Sequence, residues 1–222
     1  MLERLFFHDI GNTAGAIQGL AELVEMTGSM EELDQFDFKN LLSHASHQLV
    51  DEIAAQRQLL AAEKGELTTQ WGPLAAMDIL EEVMQLYKNH LVAEDRLIRL
   101  DPKSKTVSLI SDRALLGRVI GNMVKNALEA AHPGETVTIG CDRFTDKVRF
   151  WVHNPTFMPR HVQLQIFQRS FSTKGKDRGL GTYSIKLLTE QYLQGVVSFR
   201  SDQEKGTIFV TIFPRQPESP VG

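Results

Sequence analysis

Residues 1–64 contain no proline and carry apolar side chains at helical spacing over two stretches. Leu2, Leu5, Phe6, Ile17, Leu20 and Leu23 keep a 3-4 rhythm, interrupted by polar Asp9 and Thr13. After a break at "MTGSMEELDQFD" the rhythm resumes with Leu42, Ala45, Leu49, Ile53 and Leu60, which predicts two helices joined by a loop. A hairpin of two amphipathic helices cannot bury both apolar stripes by itself. The remedy is a four-helix bundle formed by two chains, so a homodimer is expected. Gly11, Gly15 and Gly19 each cost about 1 kcal/mol against alanine inside a helix. Their four-residue spacing leaves a bare stripe suited to close approach by another chain. A membrane reading of that stripe fails, because Asp9, Asn12, Gln18 and Glu22 interrupt it. "EKGEL" ends the helical segment, with Gly65 as the helix-terminating glycine, so the expected domains are 1–64 and 65–222.

The second segment alternates between periods. Residues 73–90 read as a helix opened by Pro73, "RLIRLD" and "TVSLIS" as short strands around a turn at Pro102, and Asp112 as the cap of a helix to about Ala131. "TVTIGCDRF" and "KVRFWVHN" read as strands about a turn at Thr145–Asp146; "GTYSIKLLTEQYL" is helical; "GVVSFRS" and "GTIFVTIFP" form a hairpin around "DQEKG". The pattern predicts an α+β sandwich, with helices on one face of a mixed sheet.

Charge and cysteine content exclude several classes. A formal net charge of −4 gives no general attraction to nucleic acid or anionic lipid. The one cysteine, Cys141, cannot close an internal disulfide, which points to a reducing, cytoplasmic setting. No apolar run reaches the roughly 20 residues that span a bilayer, and the N-terminus lacks a signal-peptide pattern. Direct membrane insertion is not expected.

Three constellations carry chemistry. In "FFHDIGNTAGAI", His8 and Asn12 lie one helical turn apart and Asp9 follows the histidine. A neutral imidazole can be a nucleophile near pH 7, and an adjacent carboxylate can hold its tautomer and take its proton. On this stretch alone, a solvated surface pair is the better-than-even reading. In "GNMVKNALEAA", Asn122 and Asn126 share a helical face, although asparagine prefers caps and turns. An amide oxygen is a hard, neutral ligand suited to Mg²⁺, which takes its remaining oxygens from water and phosphate. In "FSTKGKDRGLGTYSIKLL", Gly179 and Gly181 open a helix whose first N–H groups can cradle an anion. Thr182 stands in its first turn, and Lys174, Lys176 and Arg178 add positive charge.

Taken together, order and spacing resemble the bacterial sensor histidine kinases of two-component signalling, over nearly the whole chain. "FFHDIGNTAGAI" resembles the H-box, "DRALLGRVIGNMVKNALEAA" the N-box, "IFQRSFSTKG" the F-box and ATP lid, and "RGLGTYSIKLL" the second glycine box. The resemblance implies a dimerisation and phosphotransfer hairpin followed by an ATP-binding domain of the GHKL (Bergerat) type. It implies ATP and Mg²⁺ as cofactors, with Asn126 as principal metal ligand and Asn122 as its phosphate-side companion. It also implies His8 as phosphoacceptor, Asp9 as base or orienter, and Asn12 as the residue that orients water for dephosphorylating the partner.

Two departures stand out. The proline usual five residues after the phosphoacceptor is replaced by Thr13. The first glycine box, normally Asp-x-Gly-x-Gly with the aspartate accepting from the adenine amino group, is replaced by "VHNPTFMP". His153 stands at the aspartate position, Asn154 beside it, and Pro155 and Phe157 where glycines belong. Weaker and less adenine-selective binding is therefore expected. The implied activity is autophosphorylation of His8 from ATP and transfer to an aspartate of a response-regulator receiver domain, with a sensor module in a longer chain or a separate protein. The rivals are an ATP-independent phosphotransfer or scaffold protein relaying through His8, and a GHKL ATPase of another kind. The latter is disfavoured because Asn122 stands where those enzymes carry a glutamate base.

Overall fold

The computed structural model describes residues 2–26, 38–88, 90–169 and 180–217, without the side chains of residues 2–13 and a few others. These residues divide into two compact units meeting in sequence at Leu67–Thr68. The first holds α1 (Leu2–Met26) and α2 (Phe38–Glu63), which pack on one another. Helix α2 ends as its glycine predicts. Gly65 takes φ +73° and donates to the Ala62 carbonyl at 3.1 Å, while Glu66 N–H reaches Ala61 O at 2.8 Å. That crossed pair is a Schellman motif, which satisfies the last carbonyls. The hairpin leaves large apolar side chains in water, Met26 at 85% and Val50 at 64% exposure, together with Leu23, Val24 and Leu41.

The second unit is an α+β sandwich. Strand β1 (Trp71–Ala75) leads into α3 (Ala76–Lys88), a short 3₁₀ turn (Leu91–Ala93) and β2 (Leu97–Leu100). Then come β3 (Ser108–Asp112), α4 (Arg113–Ala130), β4 (Thr136–Phe144) and β5 (Lys147–Asn154). A single turn, α5 (Arg160–Gln163), precedes α6 (Leu180–Leu187), and the β6 (Val196–Asp202) and β7 (Gly206–Pro214) hairpin follows. The main sheet has the order β2-β4-β5-β7-β6, with β2 parallel to β4 and the other pairs antiparallel.

One expectation needs correcting here. Pro73 does not open a helix. It sits inside β1, in a two-stranded sheet with β3, where an edge strand needs no donor from it, and the helix begins three residues later. "RLIRLD" and "TVSLIS" form strands as expected, with a turn at Pro102 closed by Ser104 N–H to Asp101 O at 2.9 Å, and the two strands belong to different sheets. The "DPKSK" segment runs alongside β4, with Asp101 N–H to Ile139 O at 2.7 Å and Lys105 N–H to Cys141 O at 2.9 Å.

The core lies between the sheet and helices α3, α4 and α6. Ile79, Leu80, Leu116, Ile120, Met123, Val124, Leu128 and Ile185 from the helices are buried against Val137, Ile139, Cys141, Val148, Phe150 and Val152 from the sheet. Phe150 meets Phe213 edge-on with ring centroids 6.0 Å apart. Burying side chains of this size stabilises by about 1.5–3 kcal/mol each. On the opposite sheet face, Trp151 lies directly over Gly140, where a Cβ would stand 2.2 Å from the indole. Arg149 there pairs with Asp142 and stacks on both Trp151 and Phe144. The pair with Asp142 raises the guanidinium pKa further.

Candidate nucleotide site

The asparagine helix is α4, and its start is set by Asp112. One carboxylate oxygen accepts from Leu115 N–H at 2.9 Å and the other from Gln70 N–H at 2.7 Å, so the cap also ties β1's approach to the helix. Met123, Val124, Ala127 and Leu128 turn into the core, which leaves Asn122 and Asn126 half-buried along the helix flank. Asn126 meets the first turn of α6: a Cβ on Gly181 would lie 3.3 Å from its Oδ1 and 3.6 Å from its Nδ2. Glycine there lets the α6 backbone approach the amide. Asn126 Nδ2 is buried, and among the described residues it has no hydrogen-bond partner. An orphaned donor of that kind costs about 1–3 kcal/mol, which a ligand oxygen relieves. The amide oxygen beside it is the donor type Mg²⁺ takes. The residues present therefore fit a phosphate-bound Mg²⁺, with Thr182 and Ser184 buried in the same helix start.

At the end of β5, "VHNPTFMP" places His153 and Asn154 on opposite faces of the sheet. The strand alternates strictly, so Val148, Phe150, Val152 and Asn154 share the buried, helix-facing side. His153 has the opposite parity and lies partly exposed, its Nε2 2.6 Å from the carbonyl of Lys205 in the β6–β7 turn. Asn154, 3% exposed, is the polar residue that continues the inner face. A one-residue change of reference flips every side chain of a strand to the other sheet face.

The loop after Asn154 is held from several sides. Gly206 takes φ +73°, and a Cβ there would stand 2.3 Å from the Asn154 carbonyl oxygen. Thr207 pairs with Asn154 in register, and its hydroxyl donates to Thr156 O at 2.7 Å. Met158 N–H donates to Ser201 Oγ at 2.8 Å, and Gln163 Nε2 donates to Met158 O at 2.7 Å. The Thr156 hydroxyl reaches Ala130 O at 2.8 Å, linking this loop to the C-terminal end of α4. Thr156, Ser201 and Thr207 were not singled out from the sequence. The available signal was Thr207, which with Thr211 puts a hydroxyl on the inward parity of a largely apolar strand. Downstream, Phe167 packs edge-on against Phe199 and Phe209, with Lys186 Nζ 5.9 Å from its ring, so it anchors the end of this segment in the core.

The remaining candidates fall elsewhere. His8, Asp9 and Asn12 lie on α1, in the first unit, and their side chains are outside the described ones. Lys174, Lys176, Arg178 and Gly179 are outside the described residues. Cys141 is a buried core residue whose thiol pKa is pushed up to about 11 by burial and by neighbouring Asp142. It packs and takes no part in the site.

A mixed sheet covered on one face by helices, with an asparagine helix against a glycine-opened one, defines an α+β ATPase domain of the GHKL type. Residues 111–217 match the family of histidine kinase-, DNA gyrase B- and HSP90-like ATPases, and the chain carries a domain of that family. Relatives include proteins named as sporulation kinases, sensor proteins and sensor histidine kinases. The chain is 27% identical over 210 residues to sporulation kinase A of Bacillus subtilis (strain 168), covering 94% of this chain and 33% of that protein. It is 36% identical over 100 residues to the sensor protein DegM of Bacillus sp. (strain B21-2), covering 44% of this chain and 26% of that one. The fold is similar to that of the Acinetobacter baumannii histidine kinase AdeS, with TM-score 0.67, 16% identity and coverage of 94% and 98% of the two chains. It is also similar to the histidine kinase ThkA solved in complex with the response regulator TrrA, with TM-score 0.65, 19% identity and coverage of 94% and 59%. Among the described residues no helix is long and apolar enough to cross a membrane.

Proposed function

We propose that the chain is the core of a sensor histidine kinase: it transfers the γ-phosphoryl group of ATP to His8 and then to an aspartate of a response-regulator receiver domain. The observation that carries this reading is the buried amide nitrogen of Asn126, without a hydrogen-bond partner among the described residues and set against Gly181, at the flank of the helix that the resemblance reads as the N-box. Asn126 would hold Mg²⁺ through Oδ1, and Asn122 one turn earlier would orient phosphate or metal-bound water. Bound Mg²⁺ would neutralise phosphate charge, which is most of what phosphoryl transfer asks of a protein besides positioning. Gly179, Gly181 and Thr182 would supply backbone N–H groups to the phosphates, with Lys174 and Arg178 as added charge. Asn154 replaces His153 in the base-reading role, because it occupies the inner face of β5.

In the first unit, 1–64 by the sequence reading, His8 is the nucleophile and Asp9 holds its ring proton or tautomer. Asn12 would orient water when the partner aspartate is dephosphorylated. The exposed apolar side chains of α1 and α2 support a homodimer through a four-helix bundle, since one hairpin leaves them in water. A cytoplasmic setting, and a sensor module on the same or another chain, complete the proposal. The ThkA complex with its regulator is the precedent for the receiver-domain partner.

The test is incubation with γ-labelled ATP and Mg²⁺. Acid-labile, base-stable label that vanishes in His8→Gln supports the reading. Label retained in that variant moves the chemistry to another residue, and no label with wild type under conditions of measured ATP binding favours a relay without kinase activity.

A further inference from the structure

Helix α6 does not end as an α-helix. From Leu188 to Tyr192 it opens into a π-helical turn, in which Leu193 N–H reaches back five residues to Leu188 O at 3.0 Å. The carbonyl that α geometry would give to Leu193 is that of Thr189, and it accepts instead from Gly195 N–H at 2.8 Å. Such turns interrupt α-helices mostly at functional positions. The side chain of Thr189 shows what this one costs. It is fully buried, at 0% exposure, and its hydroxyl has no hydrogen-bond partner among the described residues. In an α-helix a threonine hydroxyl can bond the carbonyl four residues back, which here is that of Ile185.

The two ends of α6 are held differently. Beyond the π turn the chain is fixed. Leu193 is 1% exposed, Gln194 takes φ +53°, and a Cβ on Gly195 would stand 2.6 Å from the Phe213 ring and 2.8 Å from Ile212 O. At the other end the first turn of α6 rests against Asn126, where the place of a Gly181 Cβ is 3.3 Å from Oδ1. A ligand held both by the Asn126 oxygen and by the first N–H groups of α6 has to touch each of them. Groups already in van der Waals contact leave no atom's width between them, and one metal–oxygen bond of Mg²⁺ alone spans about 2.0–2.1 Å. The first turn therefore has to move relative to α4 when such a ligand enters. With Leu193–Gly195 fixed, the π turn is the part of the helix that can yield.

We propose that the π turn is a joint that couples ligand entry at Asn126 to the register of α6. Binding tightens Leu188–Tyr192 toward α geometry, shifts Leu180–Leu187 against α4, and gives the Thr189 hydroxyl the Ile185 carbonyl as its acceptor. The inference rests on the nucleotide-site reading above and adds a conformational step to it. Thr189 is a positioning residue in this step, unpaired in the free form and hydrogen-bonded in the bound form. A bond made in only one of two states favours that state, so the hydroxyl contributes to nucleotide affinity from a distance.

The experiment is calorimetric titration of AMP-PNP with Mg²⁺ into the full chain, for wild type, Thr189→Val and Thr189→Ser, with thermal unfolding of the nucleotide-free proteins alongside. Valine keeps the branched shape and removes the orphaned hydroxyl. It should raise the nucleotide-free melting temperature yet weaken binding by about tenfold, the equivalent of one lost hydrogen bond. Serine keeps the hydroxyl and loses a buried methyl, so it should lower the melting temperature and bind within about twofold of wild type. A packing role would move stability and affinity together, whereas the joint moves them in opposite directions. Hydrogen exchange of wild type supplies a second reading that does not depend on a variant folding: the amides of residues 188–193 should gain protection when AMP-PNP binds. Binding by Thr189→Val equal to wild type, or exchange at 188–193 that bound AMP-PNP leaves unchanged, overturns the inference and leaves the site reading standing. Failure of folded wild type to bind the nucleotide at all overturns both.

Discussion

Gly206→Ala isolates the closest backbone approach beside the proposed base site. Gly206 combines a left-handed φ of +73° with a Cβ direction that points at backbone: 2.3 Å to the Asn154 carbonyl oxygen, and 2.5 Å to the carbonyl carbon and oxygen of Pro155. The first property costs a non-glycine residue about 1–2 kcal/mol. The second cannot be relieved by a rotamer change, because all three atoms are main chain. The 154–155 segment would have to shift by about 1 Å, which stretches the Asn154–Thr207 register and adds about 1–3 kcal/mol of overpacking. The expected total is about 2–5 kcal/mol. Gly134→Ala is the control, since Gly134 has φ +83° with nothing within 4 Å of its Cβ, so only the conformational cost of about 1–2 kcal/mol applies. Urea unfolding followed by tryptophan fluorescence reads the right unit, because both tryptophans, Trp71 and Trp151, lie in it. Equal destabilisation by the two substitutions would refute the argument and show that the loop adapts freely. A large loss for Gly206→Ala with an intact α-helical signal would place the damage at the β5–β7 end.

Other consequences are more quickly stated. His153→Ala should leave nucleotide affinity and purine preference within about twofold of wild type by calorimetry, because the ring lies across the sheet from the core and its Nε2 bonds to the Lys205 carbonyl. Asn126→Ala should abolish Mg²⁺-dependent enhancement of nucleotide binding while costing little stability, since it removes a buried amide whose nitrogen has no partner among the described residues; a large fall in melting temperature would instead mark Asn126 as structural. Cys141, raised in the folded state from 9.0 to about 11, keeps its proton in the native protein over a window where the unfolded chain has lost it. Its contribution is therefore fully present below pH 9 and is lost as pH rises toward 11, and Cys141→Ala should flatten that part of the stability curve measured by urea unfolding.

The helices were legible because their signals are local. The 3-4 rhythm of residues 2–23, the Asp112 cap, the glycine at 65 and the four-residue spacing of Asn122 and Asn126 all act within one or two turns, and each appears in the structure where the sequence puts it. The Thr145 turn and the "DQEKG" hairpin were readable for the same reason. What the sequence left open depends on partners distant in the chain. Whether Pro73 begins a helix or ends up in a strand depends on β3 being there to pair with β1, and whether β2 and β3 form a hairpin depends on β4 offering β2 a parallel edge. Gly181 and Asn126 stand 55 positions apart, and only the packing of α6 on α4 shows that one lacks a side chain so that the other can sit against it. The choice between His153 and Asn154 is the sharpest case. Neighbours on a strand point to opposite faces, and only the face of β5 that the helices cover shows that Asn154, and not His153, lies on the core side.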